Sequence, residues 1–162
     1  MTGPRQFSIL FCCMGNICRS PTAEGVLRQV LSTQAAHLQI ALDSAGTHDY
    51  HLGEAPDARA IQAAKRRGVD LSALRARQVL ARDFEQFDLV IAMDEENLDH
   101  LRRLAPAQWR DRIKLMMDYA PEFGTRNVPD PYYGSAQGFE EVLDLLQAAS
   151  EGLLADLLSR LR

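Results

Sequence analysis

The sequence predicts an α/β fold: a single doubly wound domain over residues 1–162, with a central four-stranded parallel sheet flanked by helices. Two observations carry this. Four short apolar runs, each too brief for a helix, alternate with four stretches of helical period. The resulting order β-α-β-α-β-α-β-α brings each crossover back to a parallel neighbour. A third observation says where function belongs. A loop bounded by Cys13 and Arg19 follows the first apolar run, and such folds bind ligands at the carboxyl ends of their strands.

Each element has a local reason. Phe7-Ser8-Ile9-Leu10-Phe11-Cys12 is nearly continuous in apolar residues, as a strand covered on both faces requires. Ser20 then Pro21 reads as a helix start, because a missing N–H costs little in the first turn. That helix runs from about Pro21 through Ala35, with Ala23, Val26, Leu27, Val30 and Leu31 on one face. Leu38 to Ala45 is the second strand, ended by Gly46. Glu54-Ala55-Pro56-Asp57 opens the next helix, and Lys65-Arg66-Arg67-Gly68 closes it with basic residues and a glycine. Phe87 to Met93 is the third strand. Asp94 then caps a helix with Glu95 and Glu96 in its first turn and Arg102 and Arg103 in its last, matching the helix dipole. Pro106 ends it. Arg112 to Met116 forms the fourth strand, and Phe139 to Leu161 a long amphipathic helix. Between them, Ala120 to Ala136 is a loop long enough to suggest a functional role.

Composition narrows the function. The chain has 162 residues and a formal net charge of −4, which argues against a broad nucleic-acid surface. Its first apolar run, Phe7 to Met14, is too short to span a membrane. With no basic leader or cleavage site before it, the expected location is cytoplasmic. All three cysteines lie between positions 12 and 18 and cannot staple a fold. Their spacing and the four scattered histidines fit zinc poorly, so no metal and no cofactor is expected.

Cys13-Met14-Gly15-Asn16-Ile17-Cys18-Arg19-Ser20-Pro21 carries the chemistry. A loop this short turns its backbone N–H groups inward as an anion nest, and the following helix adds positive potential at the same point. Reactive cysteines occupy such settings. A phosphate monoester held there would have Arg19 on its oxygens and Cys13 in line with the leaving group, so attack would give a phosphocysteine. Ser20 can donate a hydrogen bond to the sulfur, and Asn16 tolerates left-handed backbone while tying down the loop. Asp130, between Pro129 and Pro131, is the candidate general acid and then the base that activates water. Asp in a proline-rich turn is ordinary on its own. Its pairing with the cysteine loop makes it catalytic. Cys12 reads as a small buried hydrophobe, Asp94 as a helix cap, and the histidines as unconnected with a site.

With these residues in view, the chain resembles the low-molecular-weight protein-tyrosine phosphatases over nearly its whole length. The resemblance rests on the Cys13–Pro21 loop, Asp43-Ser44-Ala45-Gly46-Thr47, Pro56-Asp57-Ala58-Arg59-Ala60, Ala76-Arg77-Gln78-Val79, Met93-Asp94-Glu95-Glu96-Asn97-Leu98 and Asp130-Pro131-Tyr132-Tyr133-Gly134. It implies the phosphotyrosine phosphatase I-like fold, with Cys13 as nucleophile, Arg19 as phosphate clamp and Asp130 as general acid. Met14, Gly15, Asn16, Ile17, Cys18 and Ser20 complete the phosphate-binding loop, and Ser44 supports it. The resemblance also implies Tyr50 and Tyr132, with Tyr133 beside them, as aromatic walls for a substrate ring. One of Tyr132 and Tyr133 is expected to be partly buried in packing. Cys18 is implied as a redox partner, able to form a disulfide with Cys13 that shields it from irreversible oxidation. Many eukaryotic members carry a histidine just before the Ala76 segment, where this chain has Leu74-Arg75.

Three other readings compete. A protein-arginine phosphatase shares the scaffold but tends to have threonine where Ile17 stands. A thiol-linked arsenate reductase needs further cysteines, and none follows Cys18. A phospho-binding module would lack the nucleophile, arginine or acid. The expected partner is therefore a tyrosine-phosphorylated protein, a tyrosine kinase among the candidates, with neither nucleic acid nor membrane involved. The chain is expected to be a monomer or to self-associate weakly.

Overall fold

A computed structural model describes residues 6–161. Strand β1 (Phe7–Cys13) leads into helix α1 (Arg19–Gln34), followed by β2 (Ile40–Gly46), α2 (Ala58–Lys65), the short α3 (Asp83–Gln86), β3 (Leu89–Ala92), α4 (Glu95–Leu104), β4 (Ile113–Leu115) and α5 (Ala136–Arg160). Short 3₁₀ turns flank β4. The four strands form one parallel sheet in the order β2-β1-β3-β4. This is the predicted architecture.

The pleat divides the core. Ile9, Phe11 and Cys13 of β1 face α1 and α5, while Leu10 and Cys12 face the layer built on α4. Both faces are covered, which is why β1 is apolar but for Ser8. In register, Cys13 lies opposite Gly46 and Cys12 opposite Ala92. The carboxyl ends of β2, β1 and β3 therefore meet along one side of the sheet, and Cys13 stands there.

Several boundaries differ from the expected ones, each for a physical reason. Helix α1 begins at Arg19, ahead of Pro21. The first N–H groups of a helix have no intrahelical partner, so proline fits the third position as easily as the first. Ser20 is thus inside the first turn, and its hydroxyl is free to serve the loop. Helix α5 starts at Ala136, three residues before Phe139, because the apolar stripe marks only its buried face. Strand β3 omits Phe87 and Asp88. The Asp88 carboxylate accepts from the Ser8 N–H at 2.8 Å instead of continuing the strand. Helix α3 was absent from the sequence reading: four residues are too few for a period. It is held from outside by Arg112, which donates to the Phe84, Glu85 and Phe87 carbonyls.

Candidate active site

The Cys13–Arg19 loop turns through Asn16, whose φ of 59° is the positive value of a non-glycine residue. A short polar side chain makes that conformation tolerable by bonding locally. Here it bonds in three directions. Its Nδ2 donates to Ser20 Oγ at 2.7 Å and Ser44 Oγ at 3.0 Å, and its Oδ1 accepts from the Arg77 N–H at 3.0 Å. Arg77 is itself fixed by Asp43 and Asp83, each at 3.0 Å. On the other side, Thr47 N–H donates to Cys13 O at 2.8 Å and His48 N–H to Met14 O at 3.0 Å. This approach needs Gly46, where a Cβ would sit 2.8 Å from Met14 O.

Cys13 Sγ is almost fully buried and lies 3.0 Å from Ser20 Oγ. The Asn16 N–H donates to the same sulfur at 3.3 Å. Cys18 lines the same cleft, unbonded to any other cysteine. Burial first, then the charges of Asp57 and Cys13, push its thiol well above the ordinary value of 9.0. Cys18 is thus a protonated thiol beside the loop sulfur.

Arg19 is buried and held by three oxygens. Nη1 pairs with Asp94 Oδ2 at 2.5 Å and donates to Val128 O at 3.1 Å; Nη2 lies 3.7 Å from Asp130 Oδ2. Burial alone would lower its basicity, but the Cys13 sulfur, Asp94 and Asp130 hold it above its ordinary value, so it stays a cation. Asp94 is therefore more than the helix cap read from the sequence. Its Oδ1 accepts from the Asn97 N–H at 2.7 Å while Oδ2 holds the arginine. A buried arginine demands a carboxylate, and the carboxyl end of β3, next to β1, is where that demand points.

The segment carrying Asp130 is tied at both ends. Val128 N–H donates to Met93 O at 2.8 Å, and Arg59 donates to Tyr132 O at 3.0 Å. The Arg59 guanidinium also lies over the Tyr132 and Phe139 rings, at 5.5 and 4.8 Å. Asp130 Oδ1 accepts from the Tyr132 N–H at 3.0 Å, leaving Oδ2 toward Arg19. Of the two tyrosines Tyr132 is the partly buried one, 37% exposed beneath the Arg59 guanidinium, while Tyr133 is 90% exposed. Both line the cleft with Tyr50, which is 66% exposed.

Together these residues line one open cleft. At its floor are Cys13 and Arg19, Asp130 stands at one side, and Met14 and Ile17 contribute apolar surface. The sequence reading gave the histidines no part here. The structure places His51 on the cleft, its ring close against Gly15 and its Nδ1 2.7 Å from Glu54 Oε2. Only the backbone of the intervening turn brings it there, so residue spacing carried no signal. The cleft unites a sulfur, a fixed cation and a carboxylate, groups suited to displacement at the phosphorus of a phosphate dianion. Among the described residues no cluster of histidine, cysteine and carboxylate side chains could hold a metal, and no helix is long and apolar enough to cross a membrane.

Comparison with known proteins gives a consistent result. Residues 8–161 match the family described as low molecular weight phosphotyrosine protein phosphatase. A low molecular weight protein-tyrosine-phosphatase of Streptomyces coelicolor is 46% identical over 156 residues, covering 92% of each chain. A crystal structure of a protein tyrosine phosphatase from Entamoeba histolytica, with Hepes in its active site, superimposes with a TM-score of 0.90 at 40% identity, covering 95% of this chain and 98% of that one. A Drosophila arginine phosphatase gives a TM-score of 0.85 at 30% identity, covering 92% and 96%.

Proposed function

The chain belongs to the low molecular weight protein-tyrosine phosphatases, and from that premise we propose that it hydrolyses phosphotyrosine in proteins, and small aryl phosphates, through a phosphocysteine. One observation carries the reading: Cys13 Sγ, Arg19 and Asp130 share a cleft walled by exposed tyrosines.

In the first step the phosphate dianion sits on the loop N–H groups and takes the Arg19 guanidinium on two of its oxygens. The Cys13 sulfur attacks phosphorus, the P–O bond to the aryl group breaks, and Asp130 gives its proton to the departing phenoxide. In the second step Asp130 takes a proton from water. The water oxygen attacks phosphorus, and inorganic phosphate leaves as the S–P bond breaks. Ser20 and the Asn16 N–H, both already directed at Sγ, stabilise the thiolate before attack and on release. No step calls for a metal or a cofactor.

The walls select the substrate. Tyr50 and Tyr132 suit an aromatic ring and set Cys13 below the rim, out of reach of phosphoserine on its shorter stem. Ile17 at the floor favours phosphotyrosine over phosphoarginine. The natural partner is then a tyrosine-phosphorylated protein, such as a tyrosine kinase, met in the cytoplasm by a monomer or weakly associated enzyme.

The test is hydrolysis of phosphotyrosine, phosphoserine and phosphoarginine peptides in EDTA by wild type, Cys13→Ser and Asp130→Asn. The reading predicts phosphotyrosine preference, loss of turnover in Cys13→Ser, and a roughly 10²- to 10⁴-fold fall in Asp130→Asn. That fall should be smaller for p-nitrophenyl phosphate, whose leaving group needs less help. Preference for phosphoarginine would retain the loop chemistry and overturn the substrate.

A further inference from the structure

Tyr50 has a large exposed ring and, among the described residues, no hydrogen bond to hold it. It lies in a turn outside any helix or strand. A wall that must meet a substrate ring repeatedly needs a support, and the structure contains one. The His48 ring stacks on Tyr50 with centroids 5.1 Å apart and planes 18° from parallel. On the His48 ring's other contact, His100 of α4 lies tilted at 5.4 Å. His48 is itself anchored twice: its N–H to Met14 O in the phosphate loop, and its Nδ1 to Thr47 Oγ1 at 2.8 Å.

We propose that His48, backed by His100, is a positioning residue that holds Tyr50 upright as the substrate wall and so sets the preference for aryl over compact phosphates. This rests on the reading of Tyr50 as a wall. The line of support runs from α4 through His100 and His48 to Tyr50. The same helix holds Arg19 through its cap, Asp94, so one element sets both the phosphate clamp and one wall of the ring pocket. Burial, His48 and Arg103 all lower the basicity of His100. A neutral ring there is a better neighbour for the His48–Tyr50 stack than a cation would be.

The experiment measures KM and kcat for a phosphotyrosine peptide, and inhibition by inorganic phosphate, which uses the loop alone. The variants are His48→Ala, His48→Phe, His48→Asn, Tyr50→Ala and the double variant Tyr50→Ala with His48→Ala. A stacked aromatic pair predicts a KM raised roughly two- to tenfold in His48→Ala, with kcat and phosphate inhibition unchanged. His48→Phe, which keeps a ring, should restore KM. His48→Asn, which keeps only a polar partner for Thr47, should not. Adding His48→Ala to Tyr50→Ala should change nothing further if His48 acts through Tyr50. Rescue by Asn and not Phe, equal weakening of phosphate, or a full additional loss in the double variant would overturn the proposal. If Tyr50→Ala itself leaves KM unchanged, the wall reading fails and the proposal falls with it. If the wild type turns over no phosphotyrosine while phosphate still binds, the failure lies in the substrate assignment.

Discussion

Asp94 divides its carboxylate between two tasks: Oδ2 pairs with Arg19 at 2.5 Å, and Oδ1 receives the Asn97 N–H that starts α4. Arg19, the proposed phosphate clamp, is thereby aimed by a rigid helix end rather than by a loop. Arg19 also faces Asp130 Oδ2 at 3.7 Å, so its guanidinium lies between the carboxylate of Asp94 and that of the proposed acid.

Replacing Asp94 separates the two tasks. Asp94→Asn keeps an acceptor for the helix but removes the charge facing Arg19. We expect kcat/KM for aryl phosphate to fall by about 10²-fold, the usual effect of a misaimed group, and the melting temperature to fall as well, because the buried Arg19 loses its close carboxylate partner. Asp94→Ala should match that loss and cost about 1 kcal/mol more stability through the missing cap. Steady-state kinetics and urea unfolding check both. Unchanged kcat/KM in Asp94→Asn would mean Val128 O and Asp130 suffice to aim the arginine.

Asn16 combines a left-handed backbone with three hydrogen bonds. Asn16→Ala should lose stability from both sources, about 1–2 kcal/mol from the backbone and about 1–3 kcal/mol from stranded partners. Asn16→Gly should recover only the backbone part and remain poorly active, since Ser20 and Ser44 still lack the amide donor that orients them. Urea titrations of the two variants give the difference directly.

Oxidation should be reversible. Peroxide converts the Cys13 thiolate to a sulfenic acid, the Cys18 thiol then displaces water to form a disulfide, and an added dithiol reduces it. Wild-type activity should return with dithiothreitol after brief peroxide treatment. Cys18→Ser should recover far less at equal exposure, and equal recovery would remove Cys18 from the protective role.

Stability should fall in alkali. Burial raises the thiols of Cys12 and Cys18 above their ordinary 9.0, and it pushes Tyr119 from 10.0 to about 12. Above about pH 9 the unfolded chain releases protons that the folded chain keeps, so unfolding becomes easier as pH rises. Stability is therefore intact below pH 9 and is lost toward the folded-state values, at up to about 1.4 kcal/mol per pH unit for each group. Urea midpoints from pH 7 to 11 measure this, and Cys18→Ala should flatten the curve. A profile flat to pH 11 would contradict it.

What could be read from the sequence depended on range. The strands and long helices were legible because apolar period and end residues such as Asp57, Gly68 and Asp94 act locally. The Cys13–Arg19 loop was legible because its residues are contiguous. The Asp94–Arg19 pair joins residues 75 apart, and the placement of His51 and His48 depends on how one turn lies against Gly15 and Met14. Those relationships exist only once the sheet sets the strand ends side by side. Helix α3 escaped notice because its ordering comes from Arg112, far along the chain.

The central claim is that phosphorus passes through Cys13, and rapid mixing with phosphotyrosine peptide followed by acid quench and peptide mass analysis tests it most directly. The account predicts one phosphoryl group on the peptide containing Cys13, appearing before free phosphate and absent in Cys13→Ser. Free phosphate formed with no such adduct at any time, or turnover surviving in Cys13→Ser, would contradict it.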